Sequence, residues 1–313
     1  MTECSSQIGR DQSAFVAGGL IARSTGLARL GDHMTMSKMG ITRLVVITAF
    51  IGFAMGVRAD GQGWSWLTLA AAMIGTALSC MGAGVLNHLL ERDTDALMER
   101  TKDRPLPAGR ISPREAAISG AMLSIAGVLV LAWGANWLAA LFSAFTIFSY
   151  VFIYTPMKRV NSLSTLIGAV PGAMPPIIGY AAATHRVGVE AVLLFAIMFI
   201  WQLPHFLALG WLYREDYARA GLLILPVVDP DGRRTFRQIM LNSAALAVAG
   251  ILPTLVGVSG VLHFFAALVC GGVFLAFALR LVVTPTRQQA RALFLASLLY
   301  LPIVLTTMLL NQL

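Results

Sequence analysis

The sequence predicts an all-α polytopic membrane protein, a bundle of nine transmembrane helices around a central cavity with cytoplasmic capping loops. Three observations predict it. Hydrophobic residues make up 57% of the 313 and charged residues only 12%, against about 45–50% and about 25% in soluble domains. The mean hydropathy is +0.75. A bilayer core about 30 Å thick takes roughly 20 helical residues, and nine apolar runs of that order stand out, each bounded by charge or by Pro and Gly. Finally, the cations alternate between successive connections.

In chain order the expected spans are 42–57, 64–89, 116–133, 137–154, 163–183, 189–212, 239–258, 261–283 and 292–310. Residues 1–40 read as a cytoplasmic N-terminal tail, flexible or interfacial, because their apolar stretch 14–22 is too short to cross a bilayer. Residues 41–313 form the transmembrane domain. Every Lys and Arg except Arg58 and Arg186 falls in the tail, in alternate connections or at span ends facing them. Cytoplasmic loops carry such an excess, so the N-terminus is expected in the cytoplasm, the C-terminus on the opposite side, and the protein in the cell inner membrane. The net charge of +8 is thereby explained without a polyanion, and no nucleic-acid partner is expected. Cys4, Cys80 and Cys270 have no metal-ligand spacing and indicate neither a disulfide framework nor zinc.

The acids share the asymmetry, all but Asp60 and Glu190 lying on the cytoplasmic side. An ion-coupled transporter usually places ionisable groups inside its spans. Here they collect on one rim, which suits a polar reactant met at the surface and an apolar one dissolved in the bilayer. The second span ends in Asn87-His88-Leu89-Leu90-Glu91-Arg92-Asp93-Thr94-Asp95. At about 100° per residue, Asn87, Glu91 and Asp95 drift about 40° per step and share one face over roughly 12 Å, while Asp93 points away. Three oxygen-bearing side chains on one face suit Mg²⁺, which takes one or two carboxylates plus water and phosphate. A solvated helix end is the competing account. Downstream, two prolines follow Arg100, Lys102 and Arg104. An extended segment would put these three cations on one side, ready to clamp a diphosphate.

The run from Asn87 to Pro113, with its Arg-Thr-x₂-Arg-Pro-Leu core, resembles the UbiA-type intramembrane prenyltransferases, and within them the heme O synthases. The resemblance covers approximately residues 40–313. In that superfamily an Asn-x₃-Asp-x₃-Asp motif holds Mg²⁺ on a prenyl diphosphate; here Glu91 replaces the middle Asp. Tyr154-Thr155-Pro156-Met157-Lys158-Arg159 and Trp201-Gln202-Leu203-Pro204-His205-Phe206 are similar to segments of the same group, as is the stretch Asp216 to Gly221. The superfamily's second Asp-x₃-Asp motif is absent, because Leu212 stands four residues before Asp216.

The resemblance implies a prenyltransferase domain over 41–313 that moves a farnesyl group from farnesyl diphosphate to a vinyl group of heme B, giving heme O for respiratory oxidases. It implies Mg²⁺ on Asn87, Glu91, Asp95 and Asp216, with Glu215 assisting, and these four as the catalytic set. Diphosphate contacts fall on Arg100, Lys102, Arg104, Lys158 and Arg159. Heme contacts fall on His205, Trp201, Gln202 and Tyr154, although a hydrogen-bonded core histidine is the competing account of His205. Expected partners are the lipid bilayer and, beyond the substrates, heme A synthase or a terminal oxidase. A quinone precursor or other ring acceptor stays open, and so does a non-enzymatic transporter or assembly factor.

Overall fold

The computed structural model describes residues 26–61 and 63–313. The apolar stretch 14–22, Cys4 and most of the predicted tail lie outside these residues. Among the described residues, nine helices are long and apolar enough to cross a membrane: Met39–Asp60, Trp66–Asp95, Pro113–Gly134, Trp137–Met157, Ser164–Thr184, Val189–Leu212, Arg233–Leu255, Val261–Val283 and Arg287–Leu310. They are called the first to ninth spans below. Each matches one expected apolar run. Cys80 and Cys270 are both free.

Two spans depart from a simple rod. The fourth passes from α-helix into a π-helical turn over Ser149–Tyr154 and back. The fifth breaks at Met174 into Ser164–Ala173 and Pro175–Thr184, as its run of Pro and Gly requires, since proline removes a helical donor and crowds the preceding turn. The sixth stays continuous through Pro204. The seventh begins at Arg233, six residues before its apolar run, because charged residues just outside the hydrocarbon can stay helical when their own backbone bonds are made.

Small residues hold the N-terminal half together. A Cβ at Gly82 would stand 2.5 Å from the Ser124 amide, and one at Gly127 would stand 2.5 Å from the Ser79 amide, so the second and third spans pack backbone to backbone. Gly52 and Gly179 bring the first span equally close to the second half of the fifth. Lipid supplies no hydrophobic drive for helix association, so close van der Waals packing takes its place. The C-terminal half packs more conventionally, around Leu194, Ile197, Leu246, Phe274, Tyr300 and Val304.

The tail reading changes at its inner end. Gly26–Met36 is a helix, and Met36 is fully buried against Val85, Leu106, Ile111 and Ala116. Two connections then cap the charge-rich end of the bundle. The one between the second and third spans meets the one between the sixth and seventh, through Met98 packed on Ala220, Leu222 and Tyr217. The Leu223 amide also donates to the Lys158 carbonyl at 2.8 Å, anchoring the second cap beside the end of the fourth span.

Candidate active site

The second span stays helical to Asp95, six residues beyond its apolar run. Two threonines secure its end: Thr94 Oγ1 donates to the Glu91 carbonyl, and Thr101 Oγ1 donates to the Asp95 carbonyl, each at 2.8 Å. Such bonds satisfy carbonyls that a helix terminus leaves open. Continuity makes the 3.6-residue period hold across the motif. Asn87, Glu91 and Asp95 are therefore all buried, at 0%, 9% and 1% exposure, while Asp93 points to solvent and pairs with Arg92.

Each of the three buried groups is met by one cation, and each cation comes from a different element. Lys38, at the start of the first span, donates to Asn87 Oδ1 at 2.5 Å. Lys158, at the end of the fourth, pairs with Glu91 Oε1 at 2.7 Å. Arg104, from the first cap, pairs with Asp95 Oδ2 at 2.8 Å. Asn87 Nδ2 in turn donates to Thr155 Oγ1 at 3.0 Å, and Thr155 donates to the Tyr150 carbonyl. The π-helical turn re-aims Thr155 and Lys158 toward the second span, a use such turns commonly have at functional sites.

Charge at the site is strongly coupled. Burial opposes the Lys158 ammonium, but Glu91, with Tyr154 and Tyr150, outweighs it and holds the group well above its ordinary value. Burial pushes the Lys38 ammonium down to about 8, and Glu91 offsets this only in part. Among the described residues, Asp95 Oδ1 and both ring nitrogens of His88 are buried without a hydrogen bond. His88 lies among the charges of Lys38, Arg104, Glu91 and Lys158. Buried polar atoms are rarely left so, and a carboxylate oxygen in that state fits a cation.

The remaining expected residues are placed differently. The segment from Met98 to Arg104 is a series of turns, with Lys102 N bonded to the Met98 carbonyl and Arg104 N to the Thr101 carbonyl. The expected extended strand is therefore corrected: local i→i+3 and i→i+4 bonds destroy the two-residue alternation that would have aligned three cations. Arg104 turns inward alone. Arg100 lies over the Tyr213 ring, and Lys102 pairs in solvent with Glu99. Arg159 is exposed and donates to the Leu90 carbonyl.

Asp216 sits in the second cap, paired with Arg219, and Glu215 is exposed. Among the described residues no three His, Cys, Asp or Glu side chains converge as a metal cluster, so Asp216 does not join Glu91 and Asp95 in one. Of the four expected heme contacts, three are engaged between helices. Trp201 Nε1 donates to the Ser297 carbonyl, His205 Nδ1 bonds Ser297 Oγ at 2.6 Å, and Gln202 Nε2 donates to the Ala169 and Met198 carbonyls. Tyr154 alone stands beside the charged cluster, with Lys158 Nζ 4.5 Å from its ring centre.

Below the cluster a mainly apolar cavity opens between the first, second, fourth and fifth spans, lined by Val45, Cys80, Ala83, Ile147, Tyr150 and Ile178 among others, with Lys38 at its wall. Lys38 and Thr155 were not among the expected site residues. Their signal was level rather than motif: both lie at span ends on the same rim as Asn87.

A multi-span bundle with an acid and amide face, three converging cations and an apolar cavity has the parts of an intramembrane prenyltransferase. A sequence profile of the UbiA prenyltransferase family matches residues 45–301, and the chain belongs to that family. Within it, the chain is 44% identical over 290 residues to the protoheme IX farnesyltransferase of Solibacter usitatus, covering 90% of this chain and 98% of that protein. The protoheme IX farnesyltransferase of Koribacter versatilis is 39% identical over 290 residues, covering 90% and 94%. Among solved structures, that of a digeranylgeranylglyceryl phosphate synthase matches with a TM-score of 0.76 at 16% identity, covering 91% of this chain and 98% of that one. A UbiA homolog from Archaeoglobus fulgidus bound to GPP and Mg²⁺ matches at 0.58 and 16%, covering 88% and 99%. At such identities these likenesses speak for the fold.

Proposed function

We propose that this chain transfers the farnesyl group of farnesyl diphosphate to a vinyl group of heme B, giving heme O. The observation that carries the reading is the meeting of Asn87, Glu91 and Asp95 with Lys38, Lys158 and Arg104 at the mouth of an apolar cavity. The full-length relatives named above supply the acceptor. The reaction takes place at the cytoplasmic face of the inner membrane, the charge-rich end being the positive-inside end. The bilayer delivers both apolar substrates, and heme A synthase or a terminal oxidase would receive the product.

The division of labour follows from the contacts. Arg104 and Lys158 stabilise negative charge as the diphosphate departs, the role in which fixed cations in a water-poor site act most strongly. Asp95, with its open Oδ1, would hold Mg²⁺ together with Glu91 and Asn87, and the bound ion would neutralise the diphosphate. Tyr150 and the cavity wall exclude water from the allylic cation left by ionisation. No step is assigned to Asp216, His205, Trp201 or Gln202. Water then completes the hydroxyethylfarnesyl substituent.

Purified protein in lipid, given heme B, Mg²⁺ and farnesyl diphosphate, is expected to yield a farnesylated, hydrated heme by mass spectrometry. Product formed only with 4-hydroxybenzoate would move the assignment to quinone synthesis, and no turnover with any acceptor would favour a non-enzyme. The positions of the cations add a second expectation. Lys102→Ala, which breaks only a solvent-exposed pair, should keep turnover within about threefold of the unaltered protein, as exposed ion pairs carry little energy. A loss as large as that of Arg104→Ala would return Lys102 to the site.

A further inference from the structure

Lys38 differs from the other two cations of the site in one respect. Glu91 lies within ion-pair distance of Lys158 and Asp95 within that of Arg104, but among the described residues no carboxylate stands within 4.0 Å of Lys38. Its nearest acceptors are neutral, Asn87 Oδ1 at 2.5 Å and Tyr150 Oη at 3.4 Å. Buried charges are normally matched by an opposite charge. An ammonium whose direct acceptors are neutral, with Glu91 acting on it only from beyond ion-pair distance, is suited at the wall of a cavity to receive an anion.

The chain goes to some length to put it there. The helix Gly26–Met36 ends with Met36 buried against the second and third spans. Lys38 then takes φ 48, ψ 50, a left-handed conformation that is uncommon for a residue with a Cβ. Three hydrogen bonds fix the elbow: Ser37 Oγ to the His33 carbonyl, Thr42 Oγ1 to the Ser37 carbonyl, and the Ile41 amide to the Lys38 carbonyl. Gly84 packs closely against the elbow, since a Cβ there would stand 3.3 Å from the Met36 carbonyl oxygen and in ordinary contact with Lys38 Cγ and Cδ. Held strain of this kind is found where the conformation serves a site.

We propose that Lys38 binds the diphosphate of the prenyl substrate directly, where the phosphate joins the apolar chain, so that the elbow at Lys38 completes the substrate site. The proposal rests on the prenyl-transfer reading above. A substrate lying with its tail in the cavity presents its phosphate to Lys38, which leaves Asn87 Oδ1 for the stronger, charge-assisted contact. Asn87 Oδ1 is thereby released for a divalent ion.

The test measures binding of farnesyl S-thiolodiphosphate to the full chain in lipid nanodiscs with EDTA present, so that metal does not contribute, alongside binding of farnesol. Lys38→Met keeps the methylenes and is expected to weaken the thiolodiphosphate at least about tenfold, the loss of one charge-assisted contact, while farnesol binding stays unchanged. Lys38→Arg should recover most of the loss, and in turnover the KM for farnesyl diphosphate should rise without a change in the KM for heme. Equal thiolodiphosphate affinity in Lys38→Met and the unaltered chain would overturn the proposal. So would a parallel loss of farnesol binding, which would mark Lys38 as a support for the elbow. Failure of the unaltered chain to bind the analogue only while EDTA is present would overturn this assignment alone, and failure with Mg²⁺ restored would overturn the prenyl-transfer reading and this assignment with it.

Discussion

Asp95→Asn is expected to lower the rate of heme farnesylation by about 10²- to 10³-fold, the usual cost of removing one fixed electrostatic element from a reaction site, while leaving the protein folded. The argument turns on the two carboxylate oxygens. Oδ2 is held by Arg104 at 2.8 Å, and Oδ1 is buried with no hydrogen-bond partner among the described residues. Asparagine preserves the shape and one acceptor but removes the charge that a divalent ion needs. The fold should survive with a loss of stability of up to about 3–5 kcal/mol, the cost of breaking a buried pair, moderated because asparagine keeps one acceptor for Arg104, itself 23% exposed. Product formation by mass spectrometry measures the first expectation, and thermal unfolding in detergent the second. Mn²⁺ binding followed by electron paramagnetic resonance separates the causes: it should weaken in Asp95→Asn and persist in Lys102→Ala. Near-normal turnover in Asp95→Asn would displace the metal platform from the second span.

What the sequence made legible was whatever a single helix decides by itself. The 100° step places Asn87, Glu91 and Asp95 on one face and Asp93 off it, and no tertiary contact is needed to know this. The nine apolar runs are of the same kind, since each answers to bilayer thickness alone. Contacts between elements were harder to read. Lys38 looked like one more topology-setting cation, because nothing in its neighbours shows that the elbow after Met36 turns it inward. The Arg100 to Arg104 segment was misjudged because the rule for residues before proline restrains only Arg104, leaving the rest free to form local turns. The resemblance assigns the Trp201-Gln202-x-Pro204-His205 run to heme. In the structure Trp201, Gln202 and His205 meet the demand that buried polar groups in lipid find partners, which Ser297 and the Ala169 carbonyl provide.

The Glu91 and Lys158 pair allows stability and chemistry to be separated in one set of variants. Their side chains are 11% and 18% exposed and 2.7 Å apart. Removing one partner strands the other, so Glu91→Gln and Lys158→Met should each destabilise the protein by about 3–5 kcal/mol, the cost of an uncompensated buried charge. The double variant Glu91→Gln/Lys158→Met should recover most of that loss, since a neutral pair of similar volume is tolerated as well as a buried ion pair. Activity should not recover, because the diphosphate has lost one cation and the metal one carboxylate. Denaturant titration in mixed micelles gives the first quantity and heme O formation the second. The pH dependence has a definite sign. Glu91 raises the Lys158 value in the folded state above the unfolded value of about 10.4. The pair's contribution is therefore complete below that pH and falls only as pH rises through the higher folded value. The deficit of Lys158→Met should accordingly be the same at pH 7 and pH 9. A double variant that regained both stability and turnover would make the pair a structural tie, leaving Arg104 and Asp95 to carry the chemistry without it.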